Sequence, residues 1–349
     1  MNKKLIAMAV AGACTAPLSA QAVEFSTSGF ADITYTLIQE ACDNPDGSGG
    51  TIAYGDPVNT SSTCSTSGTD VDGSAANSGE QKFADNGEID FMATENDVTL
   101  RMDVDLTTTS ASLEQIFFSW AINDGVALRA GTFNNPVGWE AEDVTGMYQV
   151  THGQIYKILD SQTYDAGNNV TGAAVDFGAG PANITLGLLQ EIGGGSGAPH
   201  NEAMSFLANV NGDVMDGLNL ELGFLSQEDN TALNTGSLES LVDFNATWTM
   251  GGWTVAGEIL TAGKVVDNSF GLMGNYDFGN GWGATARYDV TSFEDSAVDD
   301  QNSLTLYGSW APTDNLSIGL EWREDDNGGS ATNSKEDQLM LEFIATIGG

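Results

Sequence analysis

Gly281-Trp-Gly-Ala-Thr-Ala-Arg-Tyr-Asp-Val-Thr291 alternates apolar and polar residues without a slip. Trp282, Ala284, Ala286, Tyr288 and Val290 share one parity. Gly283, Thr285, Arg287, Asp289 and Thr291 share the other. A period of two is a β-strand with unlike faces, because successive side chains point to opposite sides of the sheet. The scheme recurs along the chain. Asp97 to Thr107 sets Val98, Leu100, Met102, Val104 and Leu106 against Thr99, Arg101, Asp103 and Asp105. Asn315 to Arg323 sets Leu316, Ile318, Leu320 and Trp322 against Ser317, Gly319, Glu321 and Arg323. Leu218 to Phe224 and Val242 to Met250 repeat it.

Alternation alone fits either a soluble sandwich or a membrane barrel, with the apolar face meeting a core in one and lipid in the other. Three features favour the barrel. The segments run to about ten residues, the length of a tilted membrane strand rather than the usual five or six. Short connections alternate with long polar ones, as when one barrel end carries turns and the other loops. Aromatic residues stand near segment ends (Trp120, Trp248, Trp253, Phe278, Trp282, Trp310, Trp322), where interfacial girdles fall. No stretch offers the 18 apolar residues of a membrane helix.

The expected fold is therefore all-β, an antiparallel transmembrane β-barrel. Strands are predicted at 23–37, 87–94, 97–107, 113–122, 126–133, 169–178, 182–191, 203–211, 217–227, 239–250, 252–263, 268–278, 281–292, 303–311, 315–324 and 337–348. That is about sixteen, with twelve or fourteen left open because 87–94 and 126–133 are short. Tight turns are marked by Asn123-Asp-Gly125, Gly178-Ala-Gly-Pro181, Gly251-Gly252, Gly279-Asn-Gly281 and Ala311-Pro-Thr-Asp314. The longer connections are 38–86, 134–168, 192–202, 228–238, 293–302 and 325–336, the first being the longest and acidic.

Residues 1–22 read as a signal peptide. Lys3 and Lys4 form a cationic start, Leu5 to Ala13 an apolar run, and Ala20-Gln-Ala22 a cleavage pattern that starts the mature chain at Val23. Ala11-Gly-Ala13 lacks the Leu that a lipoprotein signal places before a modified cysteine such as Cys14. Residues 23–349 then form a single barrel domain. The mature chain keeps two cysteines, Cys42 and Cys64, and export favours a disulfide between them, with a metal site the lesser alternative.

Charge is extreme, at 10 Lys+Arg against 49 Asp+Glu for a net −39, and losing Lys3 and Lys4 takes it to −41. Such a polyanion is repelled by nucleic acid. Its self-repulsion is relieved in a salty medium, which fits a marine or halophilic source; a well-hydrated acidic surface is the plainer account. The few cations are informative by position. Arg101, Arg129, Arg287 and Arg323 all fall on the polar face of a predicted strand. Three have a carboxylate two residues away on that face: Arg101 with Asp103, Arg287 with Asp289, Arg323 with Glu321. In a barrel these line the lumen with Asp105, Asp243, Glu258 and Asp277 among a larger set of acids. Charged rings in a pore set ion selectivity, and acids outnumber arginines, so the expectation is a cation-preferring pore. The plainer alternative is a set of cross-strand salt bridges closing a narrow lumen.

Arg129-Ala-Gly-Thr-Phe-Asn-Asn-Pro-Val-Gly-Trp-Glu140 breaks the alternation. A strand runs into a Pro/Gly turn and then a long segment through His152-Gly-Gln-Ile-Tyr-Lys157. This pattern of Phe133, Pro136, Gly138, Trp139 and Glu140 resembles the bacterial outer-membrane β-barrel porin-2 family, as does Asn169-Val-Thr-Gly-Ala-Ala174 opening the next strand. The resemblance implies a Gram-negative outer-membrane porin, a water-filled channel for ions and small hydrophilic solutes, with a homotrimer as the common assembly. It leaves open whether 134–168 folds into the pore or lies outside. One departure is the end of the chain. Barrels of this kind usually close on an aromatic residue, whereas Phe343 is the last aromatic here.

Enzyme chemistry is not expected. His152 and His200 stand alone in loops, and neither G-x-S-x-G nor H-E-x-x-H occurs. No cofactor is expected. Thr69-Asp-Val-Asp-Gly73 and Glu324-Asp-Asp-Asn-Gly328 are acidic enough for loose Ca²⁺ binding but lack the EF-hand spacing. The alternative function is a non-conducting structural or adhesive barrel acting through acidic loops.

Overall fold

The computed structural model describes residues 23–42, 79–162, 168–190, 204–227, 240–263, 266–294, 300–326 and 334–348. Sixteen antiparallel strands close into one barrel, each paired with its neighbours in chain order and β1 paired with β16. They are β1 (Glu24–Cys42), β2 (Gly79–Glu95), β3 (Val98–Leu106), β4 (Ala111–Asn123), β5 (Val126–Asn134), β6 (Asn169–Ala179), β7 (Ala182–Gln190) and β8 (Met204–Met215). The second half comprises β9 (Leu218–Gln227), β10 (Ser240–Met250), β11 (Trp253–Ala262), β12 (Val266–Gly279), β13 (Trp282–Phe293), β14 (Gln301–Thr313), β15 (Leu316–Asp326) and β16 (Ser334–Ile347). A single closed sheet has no partner sheet to cover its outer face, so the sandwich reading is gone.

All sixteen predicted strands are present. The largest boundary error concerns 38–86, read as loop. Residues 38–42 continue β1, and 79–86 begin β2, pairing as Gln39↔Gly79 through Asp32↔Asn86. The signal peptide and Cys64 lie outside the described residues, and with Cys64 the predicted disulfide. The Thr69–Gly73 run lies outside them too, as does the end of Glu324–Gly328.

Parity is kept. In β13 Trp282, Ala286 and Tyr288 are exposed, while Thr285, Arg287, Asp289 and Thr291 are buried. The outer surface carries an apolar band that includes Leu100, Leu188, Leu222, Ile259, Leu272, Leu306 and Leu320. At the tight-turn end aromatics cluster: Trp253 against Tyr276 across strands (centroids 4.7 Å), Tyr276 against Phe278 along β12 (4.9 Å) and Trp282 stacked on Trp310 across strands (5.7 Å). Three of the five predicted tight turns use left-handed residues: Gly180, the pair Gly251 and Gly252, and the run Gly279, Asn280 and Gly281. Among the described residues no helix is long and apolar enough to cross a membrane.

Candidate functional site: a loop folded into the lumen

The connection from β5 to β6 turns inward. It contains a 3₁₀ turn at Val144–Gly146 and one α-helix, α1 (Gln154–Gln162). Its root is clasped. The Asn135 N–H donates to the Asn168 carbonyl (2.9 Å) and its side-chain amide to Asn168 Oδ1 (3.1 Å). Beyond the root, the Gly138 N–H meets Glu221 on β9 (3.2 Å) and the Trp139 N–H meets Glu258 on β11 (2.8 Å). Further along, Glu321 on β15 accepts from the Val150 N–H (2.7 Å) and the Thr151 hydroxyl (2.6 Å). Contacts with strands so far apart place the described part of the segment, 134–162, inside the barrel.

The motif residues each have a task. Phe133 is buried against Phe117 and lies under the Arg129 guanidinium, 4.9 Å from its ring centroid. The Pro136 carbonyl accepts from Asn209. Gly138 sits at φ +107°, where any Cβ would run into Leu159, so only glycine fits. Trp139 stacks on Tyr148. Glu140 collects the Gly153 N–H (2.7 Å), the Gln149 amide (2.6 Å) and Arg287 (3.2 Å). Burial pushes the Glu140 carboxyl up, but Arg287, His152 and the Gly153 N–H outweigh it and hold it down at about 2.

Arg287 and Arg323 clamp the far side. Arg287 is 3% exposed and donates to Asp289 (3.0 Å) and to the Thr151 carbonyl (2.7 Å). Arg323 donates to Asp325 (2.8 Å), the His152 carbonyl (2.8 Å) and the Thr151 hydroxyl (2.9 Å). The expected partner of Arg323 was Glu321. The bonded acid is instead Asp325, placed by sequence in a loop, which leaves Glu321 to bind loop amides. Burial lowers Lys157 on α1 to about 7, with the Arg323 charge adding to the effect.

The other predicted lumen residues separate by environment. Arg101 bonds Asp103 (3.0 Å) and lies 3.7 Å from Asp90. Arg129 pairs across strands with Asp176 (2.6 Å). Asp243 and Glu258 are buried, Asp105 is half-buried, and Asp277 is exposed at the tight-turn rim, where it accepts the Gly279 N–H. Towards that rim a cavity of about 590 Å³ opens between the 3₁₀ turn and the wall, bordered by Val144, Tyr148, Asn275, Tyr307 and Glu342.

Sequence reasoning missed an apolar layer inside the barrel. Leu189, Leu207, Leu225, Leu241 and Leu260 point inward near the loop end and pack with Ile155, Ile158 and Leu159 of α1. The helix presents these three at the i, i+3, i+4 spacing of a single face. A second missed feature is a bulge in β4. Asp103 pairs with Gln115 and Val104 with Leu113, so Glu114 is the extra residue, turned away from the outer face.

No family model matches the chain, and no curated protein sequence does. Solved structures do share the fold. The anion-selective porin from Comamonas acidovorans aligns with a TM-score of 0.63 and 10% identity, over 93% of this chain and 100% of that one. The outer-membrane channel DcaP of Acinetobacter baumannii gives 0.63 and 11%, over 93% and 97%. A mutant Rh. blastica porin gives 0.54 and 13%, over 92% and 100%. The chain thus has the barrel fold of Gram-negative porins. The narrower likeness to the porin-2 family gains no support from these matches.

Proposed function

We propose that the chain is an outer-membrane porin: a channel for passive diffusion of ions and small hydrophilic solutes, with a preference for cations. The carrying observation is the closed barrel with an apolar exterior and a charged interior narrowed by a fixed inward loop. Passage through such a lumen needs no covalent chemistry. Water and fixed charge lower the barrier for a polar solute, and the loop restricts the bore. The cation preference follows from the surplus of lumen carboxylates, since Glu88, Asp243, Glu258, Glu321 and Glu342 are inward-facing and buried while the nearby arginines are already engaged.

A second reading has its own support. The apolar layer between α1 and the wall would suit a plugged, structural barrel. Planar-bilayer conductance of the refolded protein decides between them. Stepwise ohmic conductance with a cation-selective reversal potential in a KCl gradient is expected. A heat-resistant barrel that inserts and never conducts would overturn the channel. Anion selectivity would overturn the preference alone.

A further inference from the structure

The wall formed by β2, β3 and β4 holds three carboxylates with no ion pair of their own among the described residues. Glu88 on β2 pairs in register with Asp105 on β3, and the β4 bulge brings Glu114 beside them. One oxygen from each of these three carboxylates lies within 4.8 Å of the others. Oxygens on opposite sides of a Ca²⁺ ion stand about 4.8 Å apart, twice the usual bond length, so one ion can reach all three. Glu88 is 4% exposed, and its carboxyl group lies among three other acids, Asp90, Glu114 and Asp143. One oxygen of Glu114, Oε2, is likewise buried without a hydrogen-bond partner. The nearest guanidinium, Arg101, is taken up by Asp103 and Asp90 on the other side of Glu88.

The lumen loop adds to this negative charge. Glu142 lies against Glu114 and accepts from the side-chain amides of Asn134 and Asn169. Hard carboxylate oxygens with no histidine or thiol suit Ca²⁺ over softer metals. We propose that Glu88, Asp105 and Glu114 bind a divalent cation, Ca²⁺ by chemistry, which draws Glu142 of the loop to this wall. The inference is independent of conductance, because a plugged barrel would bind the ion equally.

The test is Ca²⁺ titration calorimetry of the refolded barrel in chelator-treated detergent. Wild type is compared with the double variant Glu88→Gln, Glu114→Gln and with Asp213→Asn, an exposed acid near the end of β8. Each variant is first checked for heat-modifiable migration as a folded barrel. Wild type and Asp213→Asn should share a saturable site above any loose surface binding, and the double variant should lose at least ~100-fold in affinity there. Equal affinity in all three would overturn the proposal. If the double variant does not fold, wild-type crystals soaked in Tb³⁺ give the answer. Anomalous density between Glu88, Asp105 and Glu114 supports the site, and density confined to surface acids overturns it.

Discussion

The inward loop is held by opposite means at its two margins. At residues 148–154 it meets guanidinium groups, and each buried carboxylate there has a nearby cation or an N–H donor: Glu140 and Asp289 with Arg287, Asp325 with Arg323, Glu321 with loop amides. At residues 142–143 it meets more acid: Glu88, Asp105 and Glu114, with Arg101 committed elsewhere. The first margin is complete within the chain. The second becomes complete only with protons or a cation from the solution. A negative surplus inside a barrel therefore need not be uniform. It can be neutralised in place on one side and left to exchangeable ions on the other.

The largest expected effect breaks the complete margin. Arg287→Met leaves Glu140 and Asp289 buried without their cation, and losing one partner of a buried pair costs about 3–5 kcal/mol. Amide exchange at Val150, Thr151 and Gly153 should accelerate accordingly while strand amides stay protected. Unchanged exchange there would remove the clamp from the account. Next comes the apolar layer. Leu159→Ala should loosen α1 by about 2–5 kcal/mol through the cavity left against the wall. Protease sensitivity within the loop would report it, with the barrel still heat-resistant.

The smallest effect sharpens the contrast, because pH moves the two margins in opposite directions. Glu140 sits at about 2, below its ordinary 4.5. Its contribution is complete above 4.5 and is lost as pH falls towards 2. Glu142 sits at about 7, above the same 4.5. Its ionisation opposes docking, so the acidic margin weakens as pH rises from 4.5 through 7. In metal-free buffer, acidifying from pH 7 to 4.5 should slow exchange at the Asn134 N–H, corrected for intrinsic rates, and leave the Val150 N–H unchanged. Below 4.5 the Val150 N–H should begin to speed up. Parallel behaviour at both sites would erase the distinction.

Much of this was legible in the chain. The period of two located every strand and the parity of Arg101, Arg287 and Arg323, because lipid and lumen demand different residues on the two faces. It failed where that demand lapses. Gly79 to Asn86 has no apolar alternation, its only apolar side chains being the adjacent Phe83 and Ala84, so β2 was read eight residues short. Leu189, Leu225 and Leu260 stand on the nominally polar parity, because what covers them is the loop's own helix rather than water. A period cannot reveal a contact with a segment folded in from elsewhere. The bulge did leave a trace, in the adjacent polar residues Glu114 and Gln115. Asp325 was missed as the partner of Arg323 because β15 outlasts its visible alternation by two residues. The motif from Phe133 to Glu140 marked where the chain leaves the wall, but not which strands it would reach.

The strand order has a kinetic consequence. Every pairing but one joins strands adjacent in the chain, so each costs only a local loop closure. The exception is the seam, where Gly29 meets Ile347 and Cys42 meets Ser334. It joins the first strand to the last, so it cannot form until β16 is available. Until then the sheet carries two open edges whose backbone groups seek partners, in hydrocarbon or on another chain. Of all the pairings this one has the greatest sequence separation, which is the kind that slows folding. Substitutions along β1 and β16 should therefore be felt in how fast, and how cleanly, the barrel shuts.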